Sequence, residues 1–143
     1  MTAIAFHFNA PNKLAYACRL LRKAVGAGSS VAVVAEEAAL ALLDEQLWSF
    51  SALDFVPHAR VGRLPEAQLA QTPVWLCESP VQGHGRQVLV NLTQQVQQGF
   101  EQFERVIEVV SMDEADRQQA RTRWKQYTER GYDIVRHDLK LQA

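Results

Sequence analysis

The sequence predicts a single domain, residues 1–143, built as an open, mainly parallel α/β sheet with helices on both faces. Apolar segments of strand length alternate with segments whose apolar residues recur at helical spacing, which is typical of parallel strands joined by crossover helices. Residues 31–35 are apolar throughout, as expected for a strand covered on both faces. A chain of 143 residues is also long enough to form one hydrophobic core without disulfides or metals.

The first half of the chain shows this alternation clearly. Residues 4–8 are predicted as the first strand, and residues 11–25 have the apolar spacing of a helix, which Gly26 and Gly28 end. After the strand at residues 31–35, Glu36 and Glu37 occupy the positively polarised start of a helix that extends to about residue 48. A short strand is predicted at residues 53–57, followed by a loop at residues 58–72.

The second half continues to a long final helix. Residues 74–77 and 87–92 are predicted strands, separated by a turn-rich stretch at residues 79–85. Residues 94–104 are predicted as a short amphipathic helix and residues 106–110 as another strand. Ser111 and Glu114 match a capping box that starts the last helix, which we expect to end near Glu129, before Gly131.

Composition predicts a cytoplasmic protein without extended nucleic-acid binding. The net charge is −1, whereas a surface that grips a phosphate backbone is normally basic. No apolar run approaches the length of a membrane-spanning helix, about 20 residues, and the N-terminus lacks the pattern of a signal peptide. Cys18 and Cys77 lie in apolar runs, which predicts buried thiols in a reducing compartment.

No motif of a catalytic, metal or cofactor site is complete. Residues 9–13, after the first strand, contain no glycine, so the phosphate loop of dinucleotide-binding folds is missing. Residues 26–30 contain two glycines but follow a helix and precede a strand, so we interpret them as a turn. The four histidines lack metal-ligand spacing, and His84 lies in a glycine-flanked turn. The sequence therefore predicts no enzyme, no metal and no cofactor.

Two other segments suggest protein binding. In the last helix, Arg117, Arg121 and Lys125 are spaced by four residues and form one row, with Trp124 and Tyr127 beside it. Such a row suits a ligand that combines carboxylates with an apolar end. A solvated basic face with the tryptophan in the core would produce the same pattern.

The second segment places Trp48, Phe50 and Phe55 where the second helix ends. Large aromatic side chains in such a place anchor a partner or plug the end of a core. The pattern favours neither interpretation.

Both segments belong to a wider resemblance. Residues 43–48 (LDEQLW), 54–58 (DFVPH) and 120–127 (ARTRWKQY), with Gly131 and Tyr132, resemble the chi subunit of the bacterial DNA polymerase III holoenzyme, and the resemblance spans almost the whole chain. It implies a Rossmann-like fold without catalysis and an accessory role in DNA replication. Chi-like proteins link the psi subunit of the clamp loader to the acidic C-terminal tail of single-stranded-DNA-binding protein, which ends in proline and phenylalanine.

The resemblance also implies which residues serve each partner. Trp48 and Phe55 would face psi or, in an organism without psi, another partner such as a repair helicase. The tail would be held by Arg121, Trp124 and Lys125, with Tyr127 and Gly131 in lesser roles. Two alternatives stay open: a nucleotide-binding α/β enzyme, which needs a glycine-rich loop after a strand, and a direct single-strand binder, which needs a longer basic track interleaved with aromatic residues.

Overall fold

A seven-stranded sheet organises the part of the chain that the computed structural model describes, residues 2–49 and 55–140. The strands are β1 (Ala3–Ala10), β2 (Val31–Val34), β3 (His58–Arg60), β4 (Val74–Cys77), β5 (Val88–Asn91), β6 (Arg105–Ser111) and β7 (Ile134–Asp138). The α-helices are α1 (Lys13–Gly26), α2 (Glu37–Ser49), α3 (Glu66–Ala70) and α4 (Glu114–Glu129).

The strands lie in the order β3-β4-β2-β5-β6-β1-β7, and every neighbouring pair is parallel. This confirms the predicted open parallel α/β fold. The pairing of β1 with β6 is regular from Ala3 to His7 and then shifts before Ala10. Asn9 lies in that irregular step with a φ of 66°, a left-handed conformation that asparagine tolerates better than most residues.

Successive side chains of a strand point to opposite faces of a sheet, and two hydrophobic clusters result. One contains Leu21 of α1 and Leu43 of α2, packed with strand residues such as Val33 and Val90. The other contains Tyr127 of α4, packed with residues such as Phe6. Helices therefore cover both faces, as predicted.

Most predicted elements are confirmed to within a few residues at their ends. Helices α1, α2 and α4 form where the apolar spacing placed them. Gly28 and Gly131 follow α1 and α4 with φ values of 82° and 87°, which glycine adopts without strain. Cys18 and Cys77 are buried free thiols. Among the described helices, none has the length and apolar character to cross a membrane.

The predictions for residues 53–57 and 58–72 are wrong. Residues 53 and 54 lie outside the described residues, and residues 55–57 form no strand. The strand begins later, as β3 (His58–Arg60), and the predicted loop also contains α3 (Glu66–Ala70). Both elements are too short to show a period in sequence, and β3 is held at the sheet edge by its pairing with β4.

The predicted helix at residues 94–104 is also wrong, since only a 3₁₀ turn forms there, Phe100–Gln102. Side-chain hydrogen bonds compete with a helix in this segment. The side-chain amide of Asn91 donates to the Gln95 carbonyl oxygen at 2.8 Å, and the backbone amide of Thr93 donates to Asn91 Oδ1 at 3.0 Å. Gly99, with a φ of 93°, further breaks the helical path.

The predicted capping box is displaced by two residues. The N-cap of α4 is Asp113, whose carboxylate accepts a hydrogen bond from the Asp116 amide at 3.1 Å. Ser111 is the last residue of β6, where it pairs with Ala10, and its hydroxyl accepts from the Asp113 amide at 3.2 Å. The strand pairing keeps Ser111 extended, so the helix starts later than predicted.

Candidate functional site

A groove between α4 and the ends of β1, β6 and β7 brings three arginines together over aromatic rings. Its volume is about 410 Å³. Arg117 and Arg121 come from α4, whereas Arg136 comes from the edge strand β7. The other lining residues are Phe6, Phe8, Asn9, Val110, Ser111, Ala120 and Trp124.

The aromatic floor is centred on Trp124. Its half-buried ring packs on buried Phe6, with ring centroids 5.0 Å apart and planes inclined by 59°. The Arg136 guanidinium lies 5.6 Å from the centroid of Phe8 and 5.9 Å from that of Trp124. Cation–π attraction at such distances holds the guanidinium against the rings. Trp124 thus joins the core on one side and the groove on the other.

In the described part of the chain, the positive charge of the groove is compensated only at its margin, where Asp138, outside the lining, accepts a hydrogen bond from Asn9 at 2.9 Å. None of the lining residues is acidic. Among the described residues, the Arg117 side chain has no ion-pair partner, and Arg121 Nη1 lies 3.5 Å from Glu114 Oε1 with both groups well exposed. Such exposed pairs contribute about 0–1 kcal/mol, so a carboxylate of a ligand can replace Glu114 at little cost.

A buried polar network beneath α4 fixes the rotation of this helix. Glu108 of β6 accepts hydrogen bonds from Arg123 Nε at 2.9 Å, from the Tyr127 hydroxyl at 2.7 Å and from the Asn91 amide at 2.9 Å. Burial raises the pKa of Glu108, and the Arg123 guanidinium opposes that rise. Burial and the Glu108 carboxylate both raise the pKa of Tyr127. With Arg123 and Tyr127 directed inward, Arg121 and Trp124 face the groove.

The start of α4 is anchored through Asp116. This buried carboxylate accepts a hydrogen bond from the Ser111 amide at 2.8 Å and lies 3.2 Å from the Lys13 ammonium of α1. Burial favours the neutral acid, but the Ser111 amide and Lys13 outweigh it, and the pKa of Asp116 is lowered. Hydrogen bonds to Glu108 and to Asp116 therefore fix α4, which forms one wall of the groove, near both of its ends.

A second candidate surface is the Trp48–Phe55 pair. Trp48 is 64% exposed and Phe55 46%, and their ring centroids are 5.0 Å apart. Both rings contact buried His58, at centroid distances of 5.3 and 5.7 Å. His58 Nε2 lies 2.8 Å from Asp44 Oδ1, and its Nδ1 lies 2.7 Å from the Val56 carbonyl oxygen. The predicted third aromatic, Phe50, lies outside the described residues.

Comparison with known proteins places the chain in a family. Residues 1–135 match the family model described as DNA polymerase III chi subunit, HolC. The chain is 38% identical over 128 residues to the DNA polymerase III subunit chi of Pseudomonas aeruginosa, covering 89% of this chain and 87% of that protein. The chain belongs to the DNA polymerase III chi subunit family. The chi subunit of Haemophilus influenzae is 34% identical over 122 residues, covering 82% of this chain and 81% of that protein.

Solved structures similar to this chi-family chain support the fold alone. The C-terminal domain of a Dbp5 variant of S. cerevisiae bound to Gle1 and IP6 superposes with a TM-score of 0.62 at 14% identity, covering 96% of this chain and 90% of that one. The C-terminal domain of the DEAD-box protein Dbp5 gives 0.57 at 15% identity, with coverage of 98% and 91%. Folds of this kind serve many unrelated functions.

The structure of the chi-family chain brings together only some of the residues predicted for the tail. Arg121 and Trp124 line the groove. Lys125 is exposed outside the lining, and Gly131 belongs to the turn after α4. Tyr127 is fully buried against Glu108, so it positions α4 and does not reach the groove surface.

The contribution of β1 and β7 to the groove was not predicted from the sequence. Phe6 and Phe8 were assigned to a strand without a role, and β7 was not predicted at all. Ile134 and Val135 are β-branched residues just after a glycine turn, which was the available signal for a strand. The polar residues that follow concealed it, and with it Arg136.

Proposed function

We propose that this chi-family protein is a non-catalytic connector in DNA replication. In this proposal the α4 groove holds the acidic C-terminal tail of single-stranded-DNA-binding protein, and the Trp48–Phe55 pair docks a psi-like subunit of the clamp loader. The main support is the convergence of three arginines on an aromatic floor in a groove that contains no carboxylate. Membership of the chi subunit family supports the replication context.

The groove matches the chemistry of such a tail. Burying its terminal phenylalanine beside Trp124 contributes about 1.5–3 kcal/mol. Charge-assisted hydrogen bonds from Arg117, Arg121 or Arg136 to carboxylates contribute about 1.5–3 kcal/mol each. Ordering a flexible tail and losing its translational freedom offset much of that sum. We expect a net binding free energy of about −8 kcal/mol, which corresponds to a micromolar Kd.

The composition of the groove supports a role in binding without chemistry. Its lining contains no histidine, cysteine or carboxylate that could act as an acid or base, and the Ser111 hydroxyl accepts a hydrogen bond from the Asp113 amide at the start of α4. The segment after β1, where related folds hold a cofactor, contains no glycine and includes Asn12, whose side chain caps α1 by accepting from the Ala15 amide.

The Trp48–Phe55 pair supports a second docking surface. Two adjacent exposed aromatic rings are typical anchors of an interface. Because His58 is held by Asp44 and by the Val56 carbonyl, the rings rest on a fixed base. A psi-like subunit is the partner that the family context favours, and a repair helicase is the alternative for an organism without psi.

Isothermal titration calorimetry with a tail peptide tests the groove. We expect micromolar binding that weakens as salt rises, because exposed charges are screened. A peptide without its last phenylalanine should bind at least about tenfold more weakly, since that corresponds to 1.4 kcal/mol. Equal affinity for the intact and shortened peptides would refute the aromatic pocket.

Variants that remove single charges distinguish binding in the groove from a general effect of the net charge of the chain. Arg121→Ala and Arg136→Ala should each weaken binding and flatten its salt dependence. Lys125→Ala should have a smaller effect, because Lys125 lies outside the lining. Arg130→Ala removes the same charge from the end of α4, away from the groove lining, and is the matched control. An equal effect of Arg121→Ala and Arg130→Ala would refute the groove as the site.

A further inference from the structure

A second cavity lies on the opposite face of the sheet, between α1 and the strands. Its volume is about 610 Å³, within the range of small-molecule sites, about 300–1,000 Å³. Its walls come from α1, from the turn after α1 and from β2, β5, β6, β1 and β7, which are consecutive in the sheet. It shares no lining residue with the α4 groove.

Cationic and imidazole side chains converge on this cavity. Arg19 and Lys23 extend from α1, Arg105 from the start of β6, and His7 and His137 from the paired strands β1 and β7. The two imidazole centroids are 4.5 Å apart. None of the fourteen lining residues is acidic, and within the described part of the chain Arg19, Lys23 and Arg105 form no ion pair with a carboxylate.

The positive charges around the cavity act on His7. Burial is the largest cause that lowers the pKa of His7, to about 4, and the positive charges of His137, Arg105 and Lys23 lower it further. These groups are therefore close enough to repel a proton from His7. An anion in the cavity would relieve that repulsion and make charge-assisted hydrogen bonds, which are stronger than neutral ones.

The rest of the cavity is apolar and aromatic. Beneath it lie core residues of the strands, Val31, Val88, Val90 and Ile107, which are 0–5% exposed. The apolar surface open to a ligand is that of Leu20 and the Tyr16 ring, both half-buried on α1. The Tyr16 ring packs against His7 with centroids 5.7 Å apart, and its hydroxyl lies 2.5 Å from His7 Nδ1. A bare inorganic ion would leave this surface unused, whereas a ligand with a phosphate and an apolar or planar part would use both halves.

We propose that this cavity binds a small organic phosphate, with its phosphate held by Lys23, Arg105 and Arg19 and its organic part against Leu20 and the Tyr16 ring. The site is distinct from the glycine-rich phosphate loop of dinucleotide-binding folds, which follows a strand. A nucleic-acid strand fits less well, because it requires a continuous basic track and the net charge of the chain is −1. The proposal is independent of tail binding in the α4 groove.

Nuclear magnetic resonance titration of the full chain tests the proposal, with adenosine monophosphate as the probe. We expect saturable shifts of the His7 and His137 ring resonances with a Kd of about 1 mM or tighter. Lys23→Glu and Arg105→Glu should each raise that Kd by about tenfold or more, and Lys23→Gln and Arg105→Gln should do so to a lesser degree. Arg130→Glu, at a residue outside the linings of both the cavity and the α4 groove, should leave it unchanged.

Three further results would overturn the assignment. Resonance shifts that do not saturate, or that persist unchanged in Lys23→Glu, would show that the cavity is not the binding site. Inorganic phosphate that binds as tightly as the nucleotide would show that the Leu20 and Tyr16 surface plays no part in binding. An oligothymidylate that shifts the same resonances and binds much more tightly than the nucleotide would make the cavity part of a nucleic-acid surface.

Discussion

Replacing Arg123 by methionine tests the buried network that orients the groove. Arg123 is 1% exposed and contacts Glu108, which is fully buried, through a single hydrogen bond from Nε. Methionine retains much of the side-chain volume but removes the charge and the donor. Glu108 keeps its hydrogen bonds from Asn91 and Tyr127 but loses its counter-charge. Removing one partner of a buried ion pair costs about 3–5 kcal/mol, because the other charge remains buried.

The loss should depend on pH in a defined direction. Burial already raises the pKa of Glu108, and Arg123 is the main group opposing that rise. Without Arg123 the folded state holds a proton on Glu108 more strongly than the unfolded chain does. The stability cost is therefore smallest at low pH and grows as the pH rises through the raised pKa.

The wild-type pair is itself incompletely satisfied. Arg123 Nη1 and Nη2 are buried without a hydrogen-bond partner among the described residues. Removing both charges, in Arg123→Met with Glu108→Gln, should therefore restore most of the stability lost in the single variant. Such recovery would identify the unpaired carboxylate, not the lost packing, as the source of the damage.

Urea unfolding of wild type, Arg123→Met and the double variant at pH 5 and pH 8 measures these differences. We expect the gap between wild type and Arg123→Met to be wider at pH 8. Equal gaps at the two pH values, or a double variant as unstable as the single one, would refute the reasoning.

Two further predictions concern His7 and Trp48. The pKa of His7 in the folded state is lowered from 6.5 to about 4. The free energy of unfolding is therefore unaffected by His7 protonation above pH 6.5 and falls by about 2–3 kcal/mol as the pH falls to 4. In unfolding titrations, His7→Gln should lose this component of the pH dependence, and an unchanged profile contradicts the assignment. Trp48→Ala should cost about 2 kcal/mol or more of binding free energy to a psi-like partner. The unfolding free energy of the isolated chain should stay nearly constant, because Trp48 is exposed. A loss of about 3–5 kcal/mol of unfolding free energy in the isolated chain would instead indicate a core role.

The sequence predicted the sheet better than the groove, for physical reasons. Buried strands such as β2 are apolar at every position, and α4 has a long helical spacing, so local pattern and final structure agree. By contrast, β7 is an edge strand whose polar residues, Arg136 among them, are partly exposed. Its strand conformation is stabilised by pairing with β1, more than a hundred residues away, which no local period reports.

The candidate site was only half predicted for the same physical reason. Arg121 and Trp124 share one helix, so their spacing alone places them on one side. Phe6 and Arg136 join them only because β1 lies between β6 and β7 in the sheet. Tyr127 has the aromatic character expected of a groove residue, yet Glu108 draws its hydroxyl into the core.

The strand order places the two proposed partner-binding surfaces at opposite edges of the sheet. Phe55 lies just before β3, at one edge of the sheet, and Arg136 lies on β7, at the other edge. Neighbouring strands are about 4.8 Å apart, so six such steps place the two edges roughly 29 Å from each other. A tail in the α4 groove and a subunit on the Trp48–Phe55 pair share no residue of this chain. Because the two surfaces share no residue, we expect each partner to bind with the same affinity whether or not the other is present.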